Sequence, residues 1–354
     1  MPLHPVYGHE ELRERLAISL AARTLPPALL LVGPPGVGKQ RLGLWLAQAI
    51  VCEQGPGAPC GACHHCRLAL QLGHPDIHWF FPIARPKADE SKQAEEAEET
   101  LATAIAARRE NAIYERPDGM AALFLPLVRV LHRRAQMRPA MARAKVFLVA
   151  EAERLVPQAS SQEAANAMLK VLEEPPPDTY FVLTAAEPSA LLPTIRSRLV
   201  QLRVGRLKPP AITAFLTEVA GIPERDARRR AELAAGSIGV ALELAGGGED
   251  EQSTAQRLLK AATSPQARHA YALGVKPFGG RGDFTGTLDA AADLLRDELA
   301  RRLQGGPPGE ANTPATRLLA QVQEIERARR LAQGNVNPQL IVADLLRRLA
   351  EAGR

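Results

Sequence analysis

Short, continuous apolar runs punctuate the first 204 residues: Ala28–Val32 (ALLLV), IHWFF at 77–81, KVFLVA at 145–150, YFVLTA at 180–185 and LVQLRV at 199–204. Unbroken apolar stretches of this length suit strands buried on both faces of a parallel sheet. Helical spacing lies between several of them. The clearest case is Gln40–Val51, where Leu42, Trp45, Leu46 and Ala49 fall on one face. The alternation predicts a doubly wound α/β domain over residues 1–205.

After the proline-bearing GRLKPP the pattern turns wholly helical. Residues 212–220, 225–235 and a third run to 245 predict a small helical lid (206–247), closed by a glycine-rich hinge, GGGED, at 246–250. A second all-helical unit (251–354) follows, interrupted by Gly- and Pro-rich loops at 277–286 and 305–314. One segment, 84–119, is charge-rich, with Ala97, Leu101 and Ile105 recurring at four-residue intervals. It reads as an exposed insertion or arm, with a solvated amphipathic helix as the alternative.

Composition sharpens this picture in three ways. With 46% hydrophobic residues but only 4% aromatic, the core of this 354-residue chain is built from Leu, Ala, Val and Ile, and its length suits two or three domains. No apolar run is long enough to span a bilayer and the N-terminus is polar, so neither a membrane anchor nor a signal peptide is expected and a cytoplasmic location is. The excess of 44 Lys+Arg over 39 Asp+Glu is mild but uneven. No acid lies between Gly119 and Ala150, where Arg129, Arg133, Arg134 and Arg138 fall with Arg143 and Lys145. Such a stretch suits phosphate-backbone contacts or a merely solvated basic face.

All four cysteines lie in fifteen residues, as Cys52-x7-Cys60-x2-Cys63-x2-Cys66. Two overlapping C-x2-C pairs with a fourth sulfur across a Gly/Pro loop can close a tetrahedral thiolate site, which points to structural zinc. His64 and His65, inside the cluster, are expected to be exposed bystanders.

Between the first apolar run and the first clear helix lies GPPGVGKQ (33–40). Strand, glycine loop and helix in this order are the setting of a phosphate-binding loop, with Gly33, Gly36, Gly38 and Lys39 as its candidate residues. The position that should carry the Mg²⁺-holding hydroxyl is Gln40. The acidic pair such a loop works with is also incomplete, since in VFLVAEAERL the metal-side position is Ala150 and only Glu151 remains. The reading is a degenerate site that binds phosphate without turning it over, with a simple tight turn as the alternative.

VYGHEELRERL, GPPGVGK, the cysteine cluster, HPDIHWF, KVFLVAEAERL, AANAMLKVLEEPPPDTYFVLTAAEPSALLPTIRSRL and NVNPQL, in this order, resemble bacterial clamp-loader subunits of the AAA+ class. The resemblance is to the member with a degenerate nucleotide site rather than to the gamma/tau ATPase. It implies an AAA+ P-loop NTPase-like domain with an inserted zinc module, a helical lid and an all-α collar that assembles a ring. It also implies a function: loading a sliding clamp onto primer–template DNA in replication, with gamma/tau and delta subunits as partners and no ATP or Mg²⁺ turnover by this chain. Arg198 matches an arginine finger that reaches a neighbour's γ-phosphate, although Leu199 replaces the family's cysteine. Ala185 and Ala186 stand where a polar sensor is usual, and Gly239 where active relatives carry a sensor arginine. The alternatives are an active gamma/tau-type ATPase and a stand-alone zinc-containing DNA-binding module.

Overall fold

The computed structural model describes residues 3–55, 57–110, 121–156, 162–246, 248–262, 281–303, 315–332 and 338–352. Parts of the 84–119 segment, the hinge, both Gly- and Pro-rich loops and NVNPQL lie outside the described residues. The chain divides into two compact units, residues 1–242 and 243–354.

The first unit is an α/β fold around a five-stranded parallel sheet. Its strands are β1 (Ala28–Val32), β2 (Ile77–Phe80), β5 (Lys145–Val149), β6 (Thr179–Ala185) and β7 (Val200–Arg203), in the spatial order β2-β5-β6-β1-β7. The central strands are mostly apolar because helices cover both faces, and Leu29, Leu30, Leu31, Phe147 and Phe181 are all buried. His78, Phe147 and Phe181 sit opposite one another in the register of β2, β5 and β6. Their rings stack at 4.7 and 5.2 Å between centroids, forming one aromatic row across three strands.

Helix α1 (Glu10–Ala21) precedes β1, and α2 (Lys39–Val51) follows the glycine loop. Burial of α2 is broader than one face, extending over nearly every residue from Leu42 to Ala49. After α3 (His64–Leu70) and β2, a two-stranded antiparallel ribbon of β3 (Ile83–Ala84) and β4 (Ala121–Ala122) brackets α4 (Gln93–Glu110). This ribbon has too few residues to show a periodicity in sequence.

Helix α4 changes the picture of the charge-rich segment. Ala97 (0% exposed) and Leu101 (2%) belong to the main core, with Ala104 and Ile105 packed against it. Arg108 lies over the Phe81 and Trp79 rings, 3.2 and 4.7 Å from their centroids. Over 93–110 the segment is therefore a docked helix and not an exposed arm. Its few apolar residues are enough because they recur on one face.

Helices α5 (Leu125–Gln136), α6 (Glu163–Glu173) and α7 (Pro193–Arg196) complete the layers around the sheet. Next come α8 (Pro209–Glu218), α9 (Glu224–Leu233) and α10 (Ile238–Gly246), with a core of their own around Leu207, Ile212, Phe215, Leu216 and Ala231. The second unit contains α11 (Gly248–Ala261), α12 (Arg281–Leu303), α13 (Ala315–Ala332) and α14 (Pro338–Ala352). Its core is rich in small residues, with Ala255, Ala291, Ala292 and Ala328 beside Leu258, Leu288, Ile325, Leu345 and Leu346. No helix among the described residues is long and apolar enough to cross a membrane.

Candidate functional site

The glycine loop joins the end of β1 to the start of α2, and two of its glycines adopt left-handed backbone, Gly36 (φ 72°) and Gly38 (φ 90°). Its polar groups are engaged from within the chain. The Lys39 ammonium donates to the carbonyls of Gly33 and Pro34, each at 2.7 Å. The ring of His9 donates from Nε2 to the Val37 carbonyl (2.7 Å).

From the other side the start of α10 closes on the loop. Ser237 Oγ donates to the Pro35 carbonyl (3.1 Å) and Gly239 N–H to the Gly36 carbonyl (3.2 Å). The approach leaves no room for side chains, since a Cβ on Gly36 would stand 2.1 Å from Ser237 Oγ and 3.0 Å from Gly239 Cα. Gly239, read from sequence only as a missing sensor arginine, is thus a contact residue. That role depends on a partner two hundred positions away.

The residues that flank the loop carry little chemistry for a metal. Ala150 is fully buried at the end of β5. Glu151 turns left-handed (φ 51°), its N–H donates to Thr184 Oγ1 (3.1 Å) and its carboxylate faces Arg154 at 3.6 Å. Sequence reasoning passed over Glu153. Its Oε1 accepts the Ala186 N–H (2.9 Å), its Oε2 is buried without a hydrogen-bond partner, and burial raises its pKa. The spacing of Glu151 and Glu153 around a single-turn 3₁₀ helix (Ala152–Leu155) was the only signal available.

Arg198 lies outside this cluster, just past α7. Its guanidinium donates to the Thr194 carbonyl (2.8 Å) and pairs with the Glu173 carboxylate (2.7 Å), while the side chain stays about one-third exposed. A partly solvated pair of this kind is worth at most about 1 kcal/mol, so a stronger anion can take the arginine from it.

The four cysteines converge. Their Sγ atoms all lie within 4.8 Å of one another, and Cys60 and Cys66 are 3.9 Å apart. A tetrahedral Zn²⁺ with Zn–S bonds of about 2.3 Å needs sulfur separations of about 3.8 Å, so the donor set fits the ion. Amides of Cys63 and Cys66 donate to the sulfurs of Cys60 and Cys63 (3.3 and 3.4 Å). The N–H groups of Cys63 and Ala62 pull the Cys60 thiol down to about 6, whereas burial pushes Cys52 and Cys66 up. A bound cation would hold all four as thiolates.

Of the two histidines in the cluster, His64 is exposed, but His65 is buried and bonded to the ring of His74 at 2.7 Å. The expectation that both are bystanders therefore fails for His65, because α3 turns it inward beside Cys66.

The basic stretch is acid-free only along the chain. Helix α4 lays Glu98 between Arg133 and Arg134, which both pair with it, and Glu90 lies 3.9 Å from Arg129. Arg138 is exposed on the loop after α5. Much of the charge that a phosphate backbone would meet is thus already neutralised within the fold.

A family profile described as DNA polymerase III, delta subunit, matches residues 8–208, more than half of the chain. The delta-prime subunit of DNA polymerase III from Escherichia coli K12 is 32% identical over 237 residues, covering 65% of this chain and 58% of that protein. The gamma/tau subunit of Mycobacterium tuberculosis H37Rv is 30% identical over 275 residues, covering 76% of this chain and 39% of that protein. The chain thus spans less than two thirds of the length of these relatives. A solved gamma-subunit-related protein of Thermotoga maritima aligns over 98% of this chain and 99% of its own, at 14% identity and a TM-score of 0.44. On the profile match, this chain belongs to the DNA polymerase III delta-subunit family, with delta-prime clamp-loader subunits among its relatives.

Proposed function

We propose that this chain is a delta-prime-type clamp-loader subunit that does not hydrolyse nucleotide itself and instead supplies Arg198 to the active site of a neighbouring ATPase subunit. The observation that carries the reading is the state of the glycine loop. Its lysine is bonded to the loop's own Gly33 and Pro34 carbonyls, and the lid contacts the loop through Ser237 and Gly239. Gln40 offers no hydroxyl for Mg²⁺, and Ala150 offers no carboxylate. Without a metal grip, charge building on the leaving phosphate oxygens goes unstabilised.

Arg198 suits action in trans because its side chain is partly exposed and held by one hydrogen bond to the Thr194 carbonyl and a weak ion pair with Glu173. A planar, permanently charged guanidinium stabilises a transferring phosphoryl group without needing its own subunit's loop. In this reading the partners are gamma/tau and delta subunits, the sliding clamp and primer–template DNA. The cysteine cluster holds structural zinc.

Two measurements test the proposal. The purified chain should show no ATP turnover above background, and a rate abolished by Lys39→Ala would favour an active gamma/tau-type ATPase. Mixed with the family's ATPase subunit, it should form a stoichiometric complex whose ATPase falls at least tenfold with Arg198→Ala while assembly persists. Failure to form any complex would favour the stand-alone DNA-binding module. The pairing of Arg133 and Arg134 with Glu98 speaks against that module, since it leaves fewer cations for phosphates.

A further inference from the structure

The cysteine cluster and the loop 137–144 are more than seventy positions apart, yet a run of polar contacts connects them, hydrogen bonds from Asp76 through His74 to His65 and a 3.3 Å contact from His65 to Glu53. The main-chain N–H of Asp76 donates to His74 Nδ1 (3.0 Å). A backbone amide can only donate, so this nitrogen bears no proton and the neutral ring carries its proton on Nε2. That Nε2 faces His65 Nδ1 at 2.7 Å, which must therefore accept. The proton of His65 then lies on its own Nε2, 3.3 Å from the Glu53 carboxylate. One amide thus sets the direction of the bond between His74 and His65 and leaves the His65 proton on the side of the Glu53 carboxylate.

Each end of this relay is anchored. Glu53 directly follows Cys52 and His65 directly precedes Cys66, so the last two members at this end ride on candidate metal ligands. At the other end the buried Asp76 carboxylate accepts three successive amides, from Ala140 (2.5 Å), Met141 (2.8 Å) and Ala142 (2.7 Å). The buried Lys145 ammonium holds the entry to the same loop through the carbonyls of Arg134, Ala135 and Met137. The loop so fixed presents Met137, Arg138, Met141 and Arg143 on the surface.

We propose that a metal ion in the four-cysteine cluster sets the position of the loop 137–144 through Glu53, His65, His74 and Asp76, making His74 and Asp76 positioning residues for that surface. The inference rests on the reading that the cysteines hold a metal. Without the ion, hydrogen bonds such as those from the Cys63 and Cys66 amides to the Cys60 and Cys63 sulfurs are what is left to hold the cluster, so the start of α3 loosens and takes His65 with it. His74 is then left with a buried N–H that has no acceptor, and it must turn, releasing the Asp76 amide. Binding free energies couple reciprocally, so what the metal does for the loop the loop clamp does for the metal.

Hydrogen exchange of the 354-residue chain tests this. Removal of zinc with a chelator should speed exchange of a peptide spanning 137–144 at least tenfold while peptides over β1 and β6 keep their rates. His74→Ala, loaded with zinc, should exchange in that loop like the metal-free parent. By reciprocity, Asp76→Asn should weaken cobalt uptake, followed by thiolate–cobalt absorbance, by up to the factor by which zinc removal loosens the loop in the parent chain. Metal uptake with a loop indifferent to chelation, or acceleration spread evenly over the sheet, overturns the inference and leaves the clamp-loader reading untouched. A chain that takes up neither zinc nor cobalt overturns the metal reading and this inference with it.

Discussion

Gly36→Ala probes the closure of the lid on the glycine loop. The substitution forces a Cβ into left-handed backbone (φ 72°) and sets it 2.1 Å from Ser237 Oγ, 2.9 Å from the Gly239 nitrogen and 3.0 Å from Gly239 Cα. The backbone strain costs about 1–2 kcal/mol. Relief of the clash requires α10 to withdraw, which forfeits the bonds from Ser237 to Pro35 and from Gly239 to Gly36, each worth about 0.5–1.5 kcal/mol. The expected destabilisation is about 2–5 kcal/mol. Gly239→Ala separates the two contributions. Its Cβ would meet Gly36 Cα at 3.0 Å without left-handed strain, and the gain of about 1 kcal/mol in helix propensity offsets part of the crowding. Its expected loss is therefore at most about 1 kcal/mol. The assay is urea unfolding followed by tryptophan fluorescence, which reads the first unit because both tryptophans, Trp45 and Trp79, belong to it. An unfolding free energy of Gly36→Ala within about 0.5 kcal/mol of the parent would refute the closed-loop argument.

Two further predictions use the same assay. Leu101→Ala should cost about 2–5 kcal/mol because Leu101 is buried in the main core, and a loss below about 0.5 kcal/mol would show α4 to be undocked. His78 is held down to about 4, first by burial against Phe147 and then by the Arg134 charge. Its folded pKa lies below the unfolded value of about 6.5, so the unfolded chain binds the proton more readily. The contribution of His78 is thus present above pH 6.5 and lost as pH falls from 6.5 towards 4, amounting to about 3 kcal/mol at most. His78→Phe should flatten that part of the pH–stability curve, and an unchanged slope would contradict the assignment.

The five strands of the main sheet were legible because each falls in a short, largely apolar run, and the cysteine cluster because all four sulfurs share fifteen positions. The glycine loop was legible as a local motif, including the loss of its hydroxyl at Gln40. What sequence could not deliver was the partner of each charge. Asp76 and Lys145 look like ordinary surface residues, yet both are buried and satisfied by main-chain groups of the 134–142 segment. The same gap explains Glu98, whose pairing with Arg133 and Arg134 depends on α4 docking beside α5. It also explains His65, whose inward turn is set by a helix start at His64 that one letter of sequence does not reveal. Local pattern reports which face is apolar, while long-range pairing is decided only when elements meet.

The aromatic row of His78, Phe147 and Phe181 bears on how the sheet finds its alignment. Parallel neighbours in this sheet are apolar on both faces, so a hydrophobic pattern alone hardly distinguishes a correct pairing from one offset by two residues. Between β5 and β6 the stacked rings act like the teeth of a vernier, since a shift of two residues puts Phe147 beside Thr179 or Leu183 and ends the stack, whereas the same shift of β2 would set Phe80 opposite Phe147. The sheet thus carries an internal gauge on β5 and β6, and β1 inherits its alignment by pairing Ala28 with Phe181.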